Sequence, residues 1–285
     1  MSSNQHVIDK KLSSSIRWKI PVYIILIIIS VFCILPFYLM IINATRTTNE
    51  ILTKLTLAPG SQAITNILRV LEYIPLPTGF KNSVIVSVSF TVLSVYIGSL
   101  TAYGFSKFKF KGDHILFWLM LSTMMLPAQI TIIGYFKLMR YLSLVDQLPS
   151  LILPGLINSS MIFWIKQYCD VSVPNELIES ARVDGCGELK IFHRIVFPIL
   201  IPAVACLSIF VFISSWNEFM RPIILLFSPS KFTLPILTVS LMGFYSRDYA
   251  ASYAGVAIAV IPITIVYAIL SKYVINGLTL GAVKQ

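Results

Sequence analysis

Six stretches of this chain are apolar almost without interruption, at about 20–42, 83–105, 114–136, 149–165, 199–220 and 251–271. A helix of roughly 20 residues crosses a ~30 Å hydrocarbon core, and in lipid each helix satisfies its own backbone polar groups. The pattern therefore predicts an all-α integral membrane protein with six transmembrane helices: a polar segment at 1–19, then one transmembrane domain over 20–285. Pro127 and Pro262 fall inside predicted spans, where a straight helix loses a hydrogen bond, so kinks are expected there. The first apolar run follows Lys10, Lys11, Arg17 and Lys19 but exceeds the length of a signal-peptide core, so it reads as a retained span.

The longest polar interruption between the later spans lies at 166–198. From Pro174 to Pro198 it has the pattern of two short amphipathic helices around a turn. Pro174 suits a first helical turn, and Asp184-Gly185 marks the turn, with glycine where a positive φ is cheap. Leu177, Ile178 and Ala181 share one helical face, and Glu179 and Arg182, three residues apart, can pair on another. Leu189, Phe192, Ile195 and Val196 repeat the pattern in the second helix. Such a pair is a docking surface for a soluble partner or a solvated connector. The first outer loop, about 43–82, has room for a short helix over 63–73 with Ile64, Ile67, Leu68 and Leu71 on one side.

Composition agrees with a membrane protein: 56% of the 285 residues are hydrophobic and 12% charged, with mean hydropathy +0.83, against about one-quarter charged in soluble domains. Lysine and arginine are denser in the segments placed inside, most clearly at Lys107, Lys109 and Lys111, which puts both termini in the cytoplasm. The net charge of +10 follows from that topology and excludes a nucleic-acid binder. Cys33, Cys169, Cys186 and Cys206, and His6, His114 and His193, are scattered, so neither disulfides nor a metal site is indicated.

No G-x-x-x-x-G-K-[ST] phosphate cradle occurs, so the chain is not read as an ATPase or other enzyme, and ATP and Mg are expected on a partner with no cofactor on this chain. Five of the six spans carry no acid, base or histidine between their ends, which argues against a gradient-driven carrier. Glu218 is the exception. A charge at the bilayer centre costs about 2.5–3.5 kcal/mol on insertion scales, but Glu218 lies near the outer end of its span, where it either pairs with Arg221 or meets a polar solute. Sugars are held by hydrogen bonds and aromatic faces. Candidates for such a path are Ser122, Thr123, Gln129, Asn158, Ser159, Ser160, Ser214, Ser215, Trp216, Asn217 and Glu218, although small polar residues also bridge membrane helices.

Glu179, Ser180, Ala181 and Gly185, with Asp184, Phe192, Ile195 and Pro198, resemble the E-A-A-x-x-x-G coupling loop of ABC importer permeases, Ser180 standing where alanine is usual. Trp216 to Phe219 with Pro222, the start Phe80-Lys81-Asn82-Ser83, and the tail Asn276-Gly277-Leu278-Thr279 with Gly281 to Lys284 resemble the carbohydrate-uptake, maltose-transporter type. The resemblance implies a type I importer permease in a bacterial or archaeal cell membrane. It would pair with a second homologous permease, two ATPase domains and an extracytoplasmic sugar-binding protein. It implies ATPase coupling through Glu179, Ser180, Ala181, Arg182, Asp184, Gly185 and Phe192, a binding-protein contact at the outer loop 225–250, and a tail that reaches the ATPase interface. Polyols and glycerol phosphates share the pattern, and a scaffold without transport is the reading from another class.

Overall fold

The computed structural model describes residues 2–243 and 248–282, with side chains for 19–127, 129–241 and 248–272. Lys10, Lys11, Arg17, His6, Gly243, Tyr245, Arg247 and the side chains of the tail from Asn276 lie outside these described side chains. The helices in chain order are α1 (Ser2–Ala44), α2 (Thr48–Thr53), α3 (Ala63–Tyr73), α4 (Leu76–Lys107), α5 (Asp113–Thr123), α6 (Ala128–Tyr141) and α7 (Pro149–Ile152). They continue with α8 (Ser159–Ser172), α9 (Asn175–Val183), α10 (Glu188–Ile191), α11 (Phe197–Trp216), α12 (Met220–Leu225), α13 (Leu234–Gly243) and α14 (Tyr249–Ala282). They divide between two units, Met1–Val70 with Tyr245–Ala257, and Leu71–Phe244 with Ile258–Gln285.

In the first unit, α1 is apolar on every side over residues 20–42 and its side chains there are almost all exposed, as befits a helix whose solvent is lipid. Its end is closed by Asn66, whose amide donates to the carbonyls of Ala44 and Arg46, both at 2.8 Å. The Arg46 guanidinium in turn donates to Ala58 O at 2.6 and 3.1 Å. This explains α3: the expected helix forms, but Ile64, Ile67, Leu68 and Leu71 face outward while polar Asn66 is buried, because its amide is needed at the end of α1. A capping box starts α2, with Glu50 N–H donating to Thr47 Oγ1 at 3.3 Å and Thr47 N–H to the Glu50 carboxylate at 2.9 Å. The Thr47 N–H holds the Glu50 carboxyl below its ordinary range.

The second unit is built around α4. It packs on α8 and α11, and the side of α4 that meets them carries Ser94, Gly98 and Ala102 at four-residue intervals. Small residues at that spacing let membrane helices approach closely. α4 also comes close to the 3₁₀ turn Leu153–Leu156: Ser94 Oγ donates to Gly155 O at 2.7 Å, and a Cβ on Gly155 would stand 2.8 Å from Phe90 Cδ2 and 3.0 Å from Phe90 O.

Among the described residues, four helical stretches are long and apolar enough to cross a membrane: Lys19–Ala44, Leu76–Lys107, Glu188–Trp216 and Tyr249–Lys272. The third and fourth predicted spans are divided. The 114–136 run is not merely kinked at Pro127 but broken between α5 and α6, because proline lacks the N–H and disfavours helix at the residue before it. The 149–165 run is interrupted by the 3₁₀ turn containing Pro154 and Gly155, and α8 then continues to Ser172. The fifth span ends at Trp216, so Glu218 lies in the link to α12 and not inside a helix. Its Oε1 accepts from Met220 N–H at 3.1 Å and Arg221 N–H at 3.4 Å, capping α12, and Oε2 meets the Arg221 guanidinium at 2.9 Å. Both side chains are partly exposed, a setting in which ion pairs contribute about 0.2–1 kcal/mol. Glu218→Gln should therefore lower the thermal midpoint only slightly; a drop of many degrees would show that the pair holds the fold at this point.

The described part of the predicted 225–250 loop, up to residue 243, is folded: a 3₁₀ turn at Pro229–Lys231 and α13 are pinned to α4 by Asn82 Nδ2, which donates to Ser230 O and Phe232 O at 3.0 Å, and by Ser83 Oγ, which accepts from Leu234 N–H at 2.8 Å. Asp146 clips the same loop to the α6–α7 turn, accepting from Phe227 N–H at 2.9 Å, Ser228 N–H at 3.0 Å and the Ser228 hydroxyl. The Ser228 hydroxyl, with these N–H donors, holds the Asp146 carboxyl below its ordinary range. A depressed acid stabilises the fold above its unfolded-state pKa and ceases to as pH falls through the folded-state value. Acidification from pH 7 toward pH 3 should thus cost wild type more thermal stability than Asp146→Asn; parallel melting curves would rule out the clip.

Candidate functional site

The charged helix pair is a rigid object. α8 ends at Ser172, and Pro174, in extended conformation, precedes α9 and does not belong to it. α9 closes with Cys186 N–H donating to Ala181 O and Gly185 N–H to Arg182 O, both at 3.0 Å, the Schellman pattern, and Gly185 sits at φ +76° as that motif demands. Ile178, Ala181, Ile191, Phe192 and Val196 are buried against α4 and α8 in one core. Leu177 turns outward, unlike Ile178 and Ala181, with which it was expected to share a face. Leu189 is also outward, because α10 passes into a π turn at Phe192–Val196 that shifts the register of the second helix.

Of the residues singled out for coupling, Ala181 and Phe192 are buried and serve the packing, whereas Glu179, Ser180, Arg182, Asp184 and Gly185 are exposed. Leu177, Val183 and Leu189 join them outside, Val183 at 87% exposure. Arg182 does not pair with Glu179: its Nε donates to Glu188 Oε1 at 2.6 Å, and its guanidinium lies over the Phe108 ring at 5.4 Å. That hydrogen bond to Glu188 raises the Arg182 pKa further. Tyr103 OH donates to the other Glu188 oxygen at 2.9 Å. Glu188 and Tyr103 were missed because a pair separated by six residues matches no helical spacing, and Tyr103 is 85 residues away in sequence.

A separate cavity of about 540 Å³ opens where the spans are broken. Thr123, Thr131, Tyr135, Asn158, Ser159, Ser160, Ser214 and Arg221 line it, with Phe90 and Met124. Asn158 caps α8 through Met161 N–H at 3.1 Å, and the Thr123 and Ser159 hydroxyls lie 2.9 Å apart. The broken helices thus deliver hydroxyls, an amide and an aromatic face to one place. Among the predicted path residues, Thr123, Asn158, Ser159, Ser160 and Ser214 line this cavity; Ser122, Gln129, Ser215, Trp216, Asn217 and Glu218 do not. Trp216, 2% exposed, donates its indole N–H to Ala259 O at 3.0 Å and stacks on Phe212, with Phe80 edge-on, so it serves helix packing. Among the described residues no cluster of His, Cys, Asp or Glu fit for a metal occurs, and the four cysteines are free thiols.

Residues 94–279, which include the helix pair and nearly all of the cavity wall, match the family of binding-protein-dependent transport system inner membrane components. The chain belongs to that family. This inner membrane permease is 38% identical over 205 residues to the arabinooligosaccharides transport system permease AraQ of Bacillus subtilis, covering 72% of this chain and 73% of that one. It is 30% identical over 263 residues to the lactose transport system permease LacG of Rhizobium radiobacter, covering 92% and 95%. Its fold is that of a chain in the crystal structure of a bacterial ABC transporter involved in import of the acidic polysaccharide alginate, with TM-score 0.75, 23% identity, and 90% and 96% coverage. The family is the membrane component of such systems, and its curated relatives are permeases for sugars and oligosaccharides.

Proposed function

We propose that this permease is one of two membrane subunits of an ATP-driven importer of a neutral sugar or oligosaccharide. The observation that carries the reading is the helix pair 174–198, which buries one face in the core while presenting Glu179, Arg182, Asp184, Val183 and Leu189 outward around a fixed glycine turn. In this reading that face sits in a cleft of a cytoplasmic ATPase, and ATP-driven closure of two ATPase domains swings the pair and alternates access to the cavity. ATP and Mg belong to the ATPase; this chain holds no cofactor. The second permease completes the path, and the outer loop 225–250 meets the binding protein. The chain crosses six times with both termini in the cytoplasm, the third and fourth crossings being made by the broken pairs α5/α6 and α7/α8. The tail from Gly277 reaches the ATPase; truncation after Asn276 with normal activity would remove that assignment.

Substrate class follows from the cavity wall. Hydroxyls, Asn158 and the Phe90 and Tyr135 rings suit a polyhydroxyl solute. The wall's cation, Arg221, is already paired with Glu218, which favours a neutral sugar over a glycerol phosphate. Arabino-oligosaccharides are the first solutes to try, given the likeness to AraQ. The test is purification of the tagged chain in mild detergent. Recovery of a second permease and an ATPase, with hydrolysis stimulated by the sugar-loaded binding protein, is expected; the chain alone, with no hydrolysis, would favour a gradient-driven carrier or a scaffold.

A further inference from the structure

We infer that α4, held to the helix pair through the Tyr103 hydroxyl, carries movement of that pair into the membrane core alongside the helix that continues from the pair into α11. This rests on the proposed importer function and adds the path of the force. The covalent route toward α8 is interrupted: the helix ends at Ser172 and the chain is extended at Pro174. Toward α11 the winding is continuous from Glu188 to Trp216 but passes through the π turn, a wider and less regular winding common at functional sites.

Helix α4 is distant in sequence yet tied to the pair at three levels. Lys107 Nζ donates to Val173 O at 2.6 Å and to Asn175 Oδ1 at 3.0 Å, gripping the start of α9. Tyr103 donates to Glu188, which also holds Arg182, so one side chain of α4 is joined to both helices of the pair at once. Tyr96 OH lies 3.0 Å from His193 Nε2, while His193 Nδ1 lies 2.6 Å from Leu189 O. A carbonyl accepts only, so Nδ1 carries a proton, and in the neutral imidazole Nε2 accepts from Tyr96. The Tyr103 ring is fixed between Phe108 at 5.3 Å and Phe192 at 5.8 Å, leaving its hydroxyl no freedom to swing away. A phenol bound to a carboxylate that is itself bound to a guanidinium is the stronger kind of hydrogen bond, and this one resists both pushing and pulling.

Tyr103→Phe removes the hydroxyl and keeps the ring packing. The measurement is sugar transported per ATP hydrolysed by the reconstituted complete complex, with subunit yield and thermal midpoint alongside. A fall of about tenfold in transport per ATP is expected, the worth of one hydrogen bond to a charged group, with yield and ATP hydrolysis near wild type and the midpoint lowered by no more than a few degrees. Glu188→Gln should do the same, and the double variant should be no worse than either single one. A wild-type ratio in Tyr103→Phe would overturn the inference, as would a proportional loss of hydrolysis, yield and transport together, which is the mark of a packing role. The wild-type arm separates the two readings: if it shows no ATP-driven uptake, the importer function itself fails, whatever the variants do.

Discussion

Gly185→Val is expected to abolish ATP-driven uptake while the protein still inserts and folds. Gly185 ends α9 at φ +76°, a region that a β-branched residue enters only with strain of about 1–3 kcal/mol. No atom lies within 4 Å of a Cβ built there, so the loss is conformational and not a clash. The cheapest relief is to open the Schellman closure, which frees the Ala181 and Arg182 carbonyls and changes the angle between α9 and α10. Arg182 then leaves Glu188, and the outward face loses its shape. Uptake should fall by at least an order of magnitude, with stimulation of the ATPase lost in parallel. Asparagine tolerates the left-handed region, so Gly185→Asn should retain a substantial fraction of activity. Glu179→Lys, which reverses a charge on the exposed face without touching the turn, should give the same loss by another route. Full uptake by both Gly185→Val and Glu179→Lys would remove the coupling role from this loop.

The second large effect is on folding. Gly155 lies where the 3₁₀ turn between α7 and α8 meets α4, with its carbonyl accepting from Ser94. A Cβ there would meet the Phe90 ring at 2.8 Å and the Phe90 carbonyl oxygen at 3.0 Å. The ring has a rotamer change available, but the backbone oxygen is fixed by α4 itself, so the helix and the turn must separate. Overpacking typically costs about 1–3 kcal/mol, and a branched side chain against backbone belongs at the upper end. Gly155→Val should reduce the yield of monodisperse protein in detergent and lower its thermal midpoint by several degrees, with Gly155→Ala intermediate. A valine variant that melts with wild type would mean that α4 and this turn are not in contact.

These cases also mark what can be read from one sequence. The Asp184-Gly185 turn and the Glu218–Arg221 pair are local: each is settled by residues a few positions apart, and each is found where the pattern puts it. Other features depend on partners far along the chain. Trp216 adjoins serines and an asparagine in sequence and so looked like part of a sugar path, but its indole N–H belongs to Ala259 and its ring to Phe212 and Phe80. The apolar stripe of α3 faces outward because Asn66 is needed at the end of α1. Pro127 was legible as a disturbance, but whether a proline bends a helix or ends it depends on what receives the freed ends; here they open onto the cavity beside Asn158 and Ser159. Tyr103 had no sequence signal at all, since its partner Glu188 lies in a helix of the loop and its ring in the core.

The most direct test of the importer reading is uptake of radiolabelled arabino-oligosaccharide into vesicles carrying the complete complex and its binding protein, with and without internal ATP. Uptake that requires ATP, stops with vanadate and is absent from vesicles bearing Gly185→Val is the expected result. Uptake that proceeds without ATP and follows an imposed proton or sodium gradient would contradict it.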